Sequence, residues 1–222
     1  MRVRHHLAAA VLASFPVTSA GAHPHIFIDT GMQLIFDAQG KLAAVRVVWV
    51  YDEFISLVIL EDKGLDPDGD GVLTTPEKKS LQGFDMNWDP GFAGDLYALQ
   101  DERSLALSRP LQFTATLEKG RLISTHVRAF EPRVAVTDEP VRVQVYDPDY
   151  YTAYKISTEP VVEGRTGCSA EIFVPDPSKA SKELEAALAE LGAFQTLEDL
   201  EIDNFPAIGA AYSEEVRITC AP

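Results

Sequence analysis

An α+β fold built mainly from antiparallel strands and hairpins is predicted by three features of this chain. Short runs rich in branched and aromatic residues are separated by turn residues, helical spacing occurs in only a few places, and the helices sit between strand blocks instead of alternating with them. Ile26 to Phe36 and Leu42 to Tyr51 flank Asp37-Ala38-Gln39-Gly40, so they predict a hairpin. From Asp52 to Lys63 the residues Phe54, Leu57, Val58 and Leu60 fall at helical spacing, with Asp52 and Glu53 at the end where the helix dipole favours negative charge. A second helix is expected to start at Thr75-Pro76, proline being suited to a first helical position. Ser104 to Leu107, Leu111 to Leu117, Arg121 to Phe130 and Val141 to Tyr146 predict further strands, with Glu118-Lys119-Gly120 as a tight turn. Ser169 to Val174 predicts another strand, Ser178 to Leu191 an amphipathic helix with Ser178 as N-cap, and Glu215 to Cys220 a last strand. One domain over residues 23–222 is expected, with a sub-boundary near 95–101.

Residues 1–22 read as a targeting segment. Arg2 and Arg4 precede an apolar run from Leu7 to Val17, and Ala20-Gly21-Ala22 supplies the small residues that signal peptidase requires. The run is too short to span a bilayer, and nothing downstream is long enough, so an exported, periplasmic protein is expected. Loss of Arg2 and Arg4 takes the formal charge from −15 to −17. That charge argues against nucleic acid and anionic membrane as partners and suits attraction of cations. Cys168 and Cys220 are an even pair, for which a disulfide is the expected state in an oxidising compartment and a two-cysteine metal site the poorer alternative.

The sharpest motif is Asp66-Pro67-Asp68-Gly69-Asp70-Gly71-Val72-Leu73-Thr74-Thr75-Pro76-Glu77. Its spacing meets the twelve-residue EF-hand loop: Asp66, Asp68 and Asp70 as alternate carboxylates, Gly71 for the sharp turn, Val72 through its carbonyl, Thr74 directly or through water, and Glu77 as a bidentate carboxylate. A single hand predicts structural calcium, with a solvated acidic turn as the plain alternative. Cleavage after Ala22 would also expose His23-Pro24-His25. The amine and ring of His23 can chelate one ion, Pro24 lacks the N–H that a square-planar backbone chelate needs, and His25 points to the same face of an extended chain. His126 is the remaining candidate for a copper, nickel or zinc set, against a reading as a packed strand histidine. The Trp88-Asp89-Pro90-Gly91-Phe92 and Tyr146-Asp147-Pro148-Asp149-Tyr150-Tyr151 stretches set aromatics beside acids, as a ligand surface would, against the plainer reading as turns whose rings close the core. No nucleophile elbow, phosphate loop or dinucleotide fingerprint is present, so an enzyme is not expected.

With its His23-Pro24-His25-Ile26-Phe27-Ile28-Asp29 start, Trp49-Val50-Tyr51-Asp52-Glu53-Phe54 segment, acidic loop and Tyr146 to Tyr151 stretch, the chain resembles the DUF1007 family over nearly its whole mature length. The resemblance implies a periplasmic component that accompanies nickel or cobalt permeases. The expected function is therefore a periplasmic metal-binding protein assisting transition-metal transport through a membrane permease. The alternatives are a copper oxidase or oxygenase using the N-terminal histidine, and a calcium-stabilised interaction module that binds no transition metal.

Overall fold

Alternation decides the first sheet. From Ile28 in β1 (Ile26–Phe36) and from Val45 in β2 (Leu42–Tyr51) every second residue is buried, as expected for strands with one face on a core. They pair antiparallel, with Ile28 opposite Tyr51 and Leu34 opposite Val45. The computed structural model describes residues 24–179, 181–182 and 209–221. Helix α1 (Glu53–Asp62) follows, then α2 (Thr75–Leu81), β3 (Leu96–Gln100), β4 (Arg103–Ser104), β5 (Leu111–Glu118), β6 (Arg121–Val134), β7 (Val141–Val145), β8 (Thr152–Ile156), β9 (Val161–Glu163) and β10 (Cys168–Phe173). A short α3 (Gly209–Tyr212) and β11 (Glu215–Cys220) complete the described elements. One sheet runs β5-β6-β2-β1-β8, with β9 also on β1; the other runs β10-β11-β7-β3-β4. Their apolar faces share one core cluster, which joins Leu34, Val45, Val47 and Leu122 to Leu96, Val141, Val143 and Ile218.

The α+β, largely antiparallel architecture agrees with the expectation, and three details differ. Strands β8 and β9 join β1 in parallel, a pairing that depends on long connections and leaves no hairpin signature. Residues 95–101 are no linker: Leu96–Gln100 is β3, hydrogen-bonded to β7 and β4, with Leu96 and Ala98 in the shared core. The turn residues Gly94-Asp95 and Asp101-Glu102, all with positive φ, surround a strand of only five residues and gave it the look of a boundary. The 104–107 span pairs regularly only at Ser104; beyond it Leu105 bonds Ala98 and Leu107 bridges Phe130, so the segment crosses from one sheet to the other.

The helix expected over Ser178 to Leu191 is described only at 177–179 and 181–182, where it is helical; the rest of that span lies outside the described residues. Asp176, not Ser178, is its N-cap. Its carboxylate accepts from the Ser178 N–H at 2.9 Å, and Pro177 takes the first helical position.

At the other end of the chain, Cys168 and Cys220 sit directly opposite each other on β10 and β11 and form a disulfide. Closing a separation of 52 residues should contribute about 4 kcal/mol in the chain-entropy description. Alkylation of unreduced protein should therefore modify no thiol, and reduction should lower the melting temperature. Two modified thiols without reductant would contradict the bond.

Candidate functional site

Helix α1 begins where Asp52, in extended backbone, accepts the Ile55 N–H on its carboxylate at 2.9 Å. It ends at Asp62, and Gly64, with φ +62°, turns the chain into the acidic loop. In that loop one carboxylate oxygen from each of Asp66, Asp68 and Asp70 lies within 4.8 Å of the other two. The Gly71 N–H donates to Asp66 Oδ2 at 3.1 Å, while Oδ1 of the same carboxylate is buried with no hydrogen-bond partner among the described residues. Val72 N–H donates to Asp70 Oδ1, and Gly69 and Gly71 take the positive φ that the sharp turn requires. Three carboxylates at such separation repel one another, and a divalent cation relieves the repulsion.

Glu77 has a second task. Its Oε2 accepts from both the N–H and the hydroxyl of Thr74, each at 2.7 Å, which closes a capping box at the start of α2. Hydrogen bonds from the Thr74 side chain, then from its backbone, hold the Glu77 carboxyl below its ordinary pKa. The Asp66 N–H also reaches this carboxylate, so Glu77 links the start of the loop to the start of α2. The loop is also tied to the first sheet. Leu65, Leu73 and Leu81 are buried in the core, and the Gln82 amide exchanges two hydrogen bonds with the backbone of Ala115, filling a position on the outer edge of β5.

His23 lies outside the described residues. His25 is exposed immediately before β1, and residues 25–27 are clamped. The N–H groups of His25 and Ile26 reach the Tyr151 carbonyl at 2.8 and 3.3 Å, the Asp52 carboxylate accepts from the Phe27 N–H at 2.9 Å, and the His25 ring lies 4.8 Å from that of Tyr151. Tyr151 belongs to a turn organised by Asp147, whose carboxylate accepts from the N–H groups of Asp149 and Thr152. Two stretches far apart in sequence therefore meet at the start of β1.

His126 does not join them. It pairs with Val47, which pairs with Met32, so it is level with a residue seven positions along β1 from His25, about 23 Å at ~3.3 Å per residue. Of the two candidate imidazoles within the described residues, the structure does not bring His126 to His25, and His126 takes the alternative reading of a packed strand histidine. The ring is fully buried between Trp49 and Trp88, and neither nitrogen has a partner among the described residues. Burial, then the nearby Arg128 charge, pushes its pKa down to about 4, so it is neutral at physiological pH.

Around it lies a buried polar group that sequence reasoning missed. Thr30, Trp49 and Ser124 occupy one cross-strand row; the Thr30 hydroxyl and the Trp49 indole N–H are buried without hydrogen-bond partners among the described residues, and the Ser124 hydroxyl lies beside the Asp85 carboxyl, whose pKa it pulls down. Tyr51 donates to Asp85 and Tyr154 to Asp95, both at 2.8 Å. Burial raises the Asp85 pKa and, against the Tyr154 hydrogen bond and with help from Asp147 and Asp149, takes Asp95 to about 7.

Two of these shifts, at Asp95 and His126, act in opposite directions on stability. Asp95 sits above its ordinary 3.8, so its contribution to stability is present below that pH and is lost as pH rises through about 7. His126 sits below its ordinary 6.5, so its contribution is present above 6.5 and is lost as pH falls toward 4. Between these limits they offset, and above 6.5 Asp95 alone tilts the balance. Asp95→Asn keeps the acceptor for Tyr154 and suits the φ of +48° at this position. It should raise the melting temperature at pH 8 and flatten the decline between pH 6 and about 8. An unchanged decline in the variant would refute this account of Asp95.

Residues 7–220 match the protein family described as "Protein of unknown function (DUF1007)". No curated protein matches the chain.

Proposed function

This chain belongs to the DUF1007 family, and we propose that its mature form is an exported metal-binding protein that holds one copper, nickel, cobalt or zinc ion at His23 and His25 and serves a membrane permease. Calcium in the Asp66 to Glu77 loop is its structural ion. The observation that carries the reading is the clamp on residues 25–27 by the Tyr151 carbonyl and the Asp52 carboxylate. A chelate assembled from the amine and ring of His23 with the ring of His25 then sits on a fixed support instead of a fraying end, which lowers the entropy lost on binding. Three further features support it: the strongly negative charge, which draws cations to the protein; the disulfide, which suits an oxidising compartment; and the permease association implied by the family resemblance. Among the described residues no helix is long and apolar enough to cross a membrane, so the permease is a separate chain in this reading. Metal analysis of natively exported protein tests it. One equivalent of transition metal is expected besides calcium, and none would remove the transport role.

One observation favours a second reading, the calcium-stabilised interaction module. Phe54 and Leu57, three residues apart on α1, are 72% and 62% exposed, and Phe54 lines a surface recess with Phe27, Asp52 and Arg121. Protein that carries calcium but no transition metal would favour this alternative.

A further inference from the structure

A cavity of about 340 Å³ opens where residues 104–109 cross between the sheets, a volume suited to a small ligand. Trp88, Phe92, Tyr97 and Tyr146 supply aromatic walls, the last two stacked with centroids 4.1 Å apart. Arg109 and Arg128 supply charge, and no Asp or Glu side chain is among the lining residues. In a chain of net charge −15 that selection is pointed.

Arg128 is only 5% exposed. It donates to the carbonyls of Ser108 and Ala93 and stacks over Trp88 at 4.8 Å, yet no described carboxylate bonds it. Arg109 lies over the same indole at 5.6 Å, held by the Trp88 carbonyl at 2.8 Å, also without a described carboxylate. Of the acids next to lining residues in sequence, Asp95 is engaged by Tyr154 and Asp147 accepts from the backbone of Asp149 and Thr152, while Asp89 meets Arg109 only through its carbonyl. A buried guanidinium with a second beside it and no counter-charge is costly in the folded state, and burial, then Arg109, lowers the Arg128 pKa to about 10. An arriving anion relieves that cost and gains charge-assisted hydrogen bonds. The aromatic walls favour a planar apolar body over a fully hydrated inorganic ion.

We propose that this seam is a binding site for a small aromatic carboxylate, with Arg128 and Arg109 as its anion contacts and Trp88, Tyr97 and Tyr146 as the surfaces against its ring. The site is independent of the chain-start chelate, since Arg128 is level with Leu34, nine residues along β1 from His25.

Calorimetric titration of the full mature protein with benzoate, its neutral analogue benzamide and sulfate tests the proposal. Benzoate should bind with one-to-one stoichiometry, at least about tenfold more tightly than benzamide or sulfate, the effect of one charge-assisted contact. Arg109 is exposed, so Arg109→Gln should fold normally, weaken benzoate about tenfold and leave benzamide unchanged. Arg128→Lys, which keeps the charge but loses the planar fork, should weaken benzoate as well. Absence of benzoate binding, benzamide or sulfate binding as tightly as benzoate, or an Arg109→Gln variant with wild-type benzoate affinity would each overturn it.

Discussion

Removing calcium from the mature protein should lower its melting temperature by about 5–10 °C. An ion that binds only the folded state stabilises it by mass action, about 2.7 kcal/mol when present at 100 times its dissociation constant, and for a chain of this size each kcal/mol moves the midpoint by roughly 2–4 °C. The ligands proposed for it are Asp66, Asp68, Asp70, the Val72 carbonyl, Thr74 and Glu77. Glu77→Gln separates the two tasks of Glu77, because glutamine can still close the capping box with Thr74 but contributes no bidentate charge. The variant should match the parent protein without calcium and lose most of the gain with it. Since Gln82 ties α2 to the outer edge of β5, calcium should also slow exchange of the Ala115 amide hydrogen. An identical melting curve with and without calcium would remove the ion from the account.

Local chemistry made much of this legible in advance. The first hairpin was readable to the residue because Asp37 to Gly40 breaks two strongly alternating runs, and β11 because its alternation is bounded by Glu215 and Cys220. The start of α1 followed from Asp52, and the acidic loop from ligand spacing alone. Properties that depend on register were hidden. Nothing within the Ser124 to Val127 segment tells that β6 sets His126 opposite Val47 and faces it toward Trp88 instead of the chain start. The row of Thr30, Trp49 and Ser124 draws on three strands, and the cavity between the sheets on six or more separate stretches. Nothing in the sequence around Arg128 marks the indole and the two carbonyls that its guanidinium meets. Strands β3, β8 and β9 were missed because each has five residues or fewer and lies between turn residues.

The largest effect is expected at the chain start. Protein beginning at His23 should bind copper, nickel or zinc on the order of 100-fold more tightly than protein that keeps residues 1–22, because only a terminal histidine offers its amine and ring together and the second donor then binds intramolecularly. Affinity should fall with acid, since amine and imidazole must lose their protons to bind metal. His23→Ala and His25→Ala should each weaken binding. His126→Ala should leave affinity unchanged and instead destabilise the fold by about 2–4 kcal/mol through the cavity left between Trp49 and Trp88. The decisive measurement is titration of the mature and uncleaved proteins against a competing chelator at one pH. The account predicts a large preference for the mature form, abolished by His23→Ala; equal affinities would contradict it and leave the calcium-stabilised interaction module in its place.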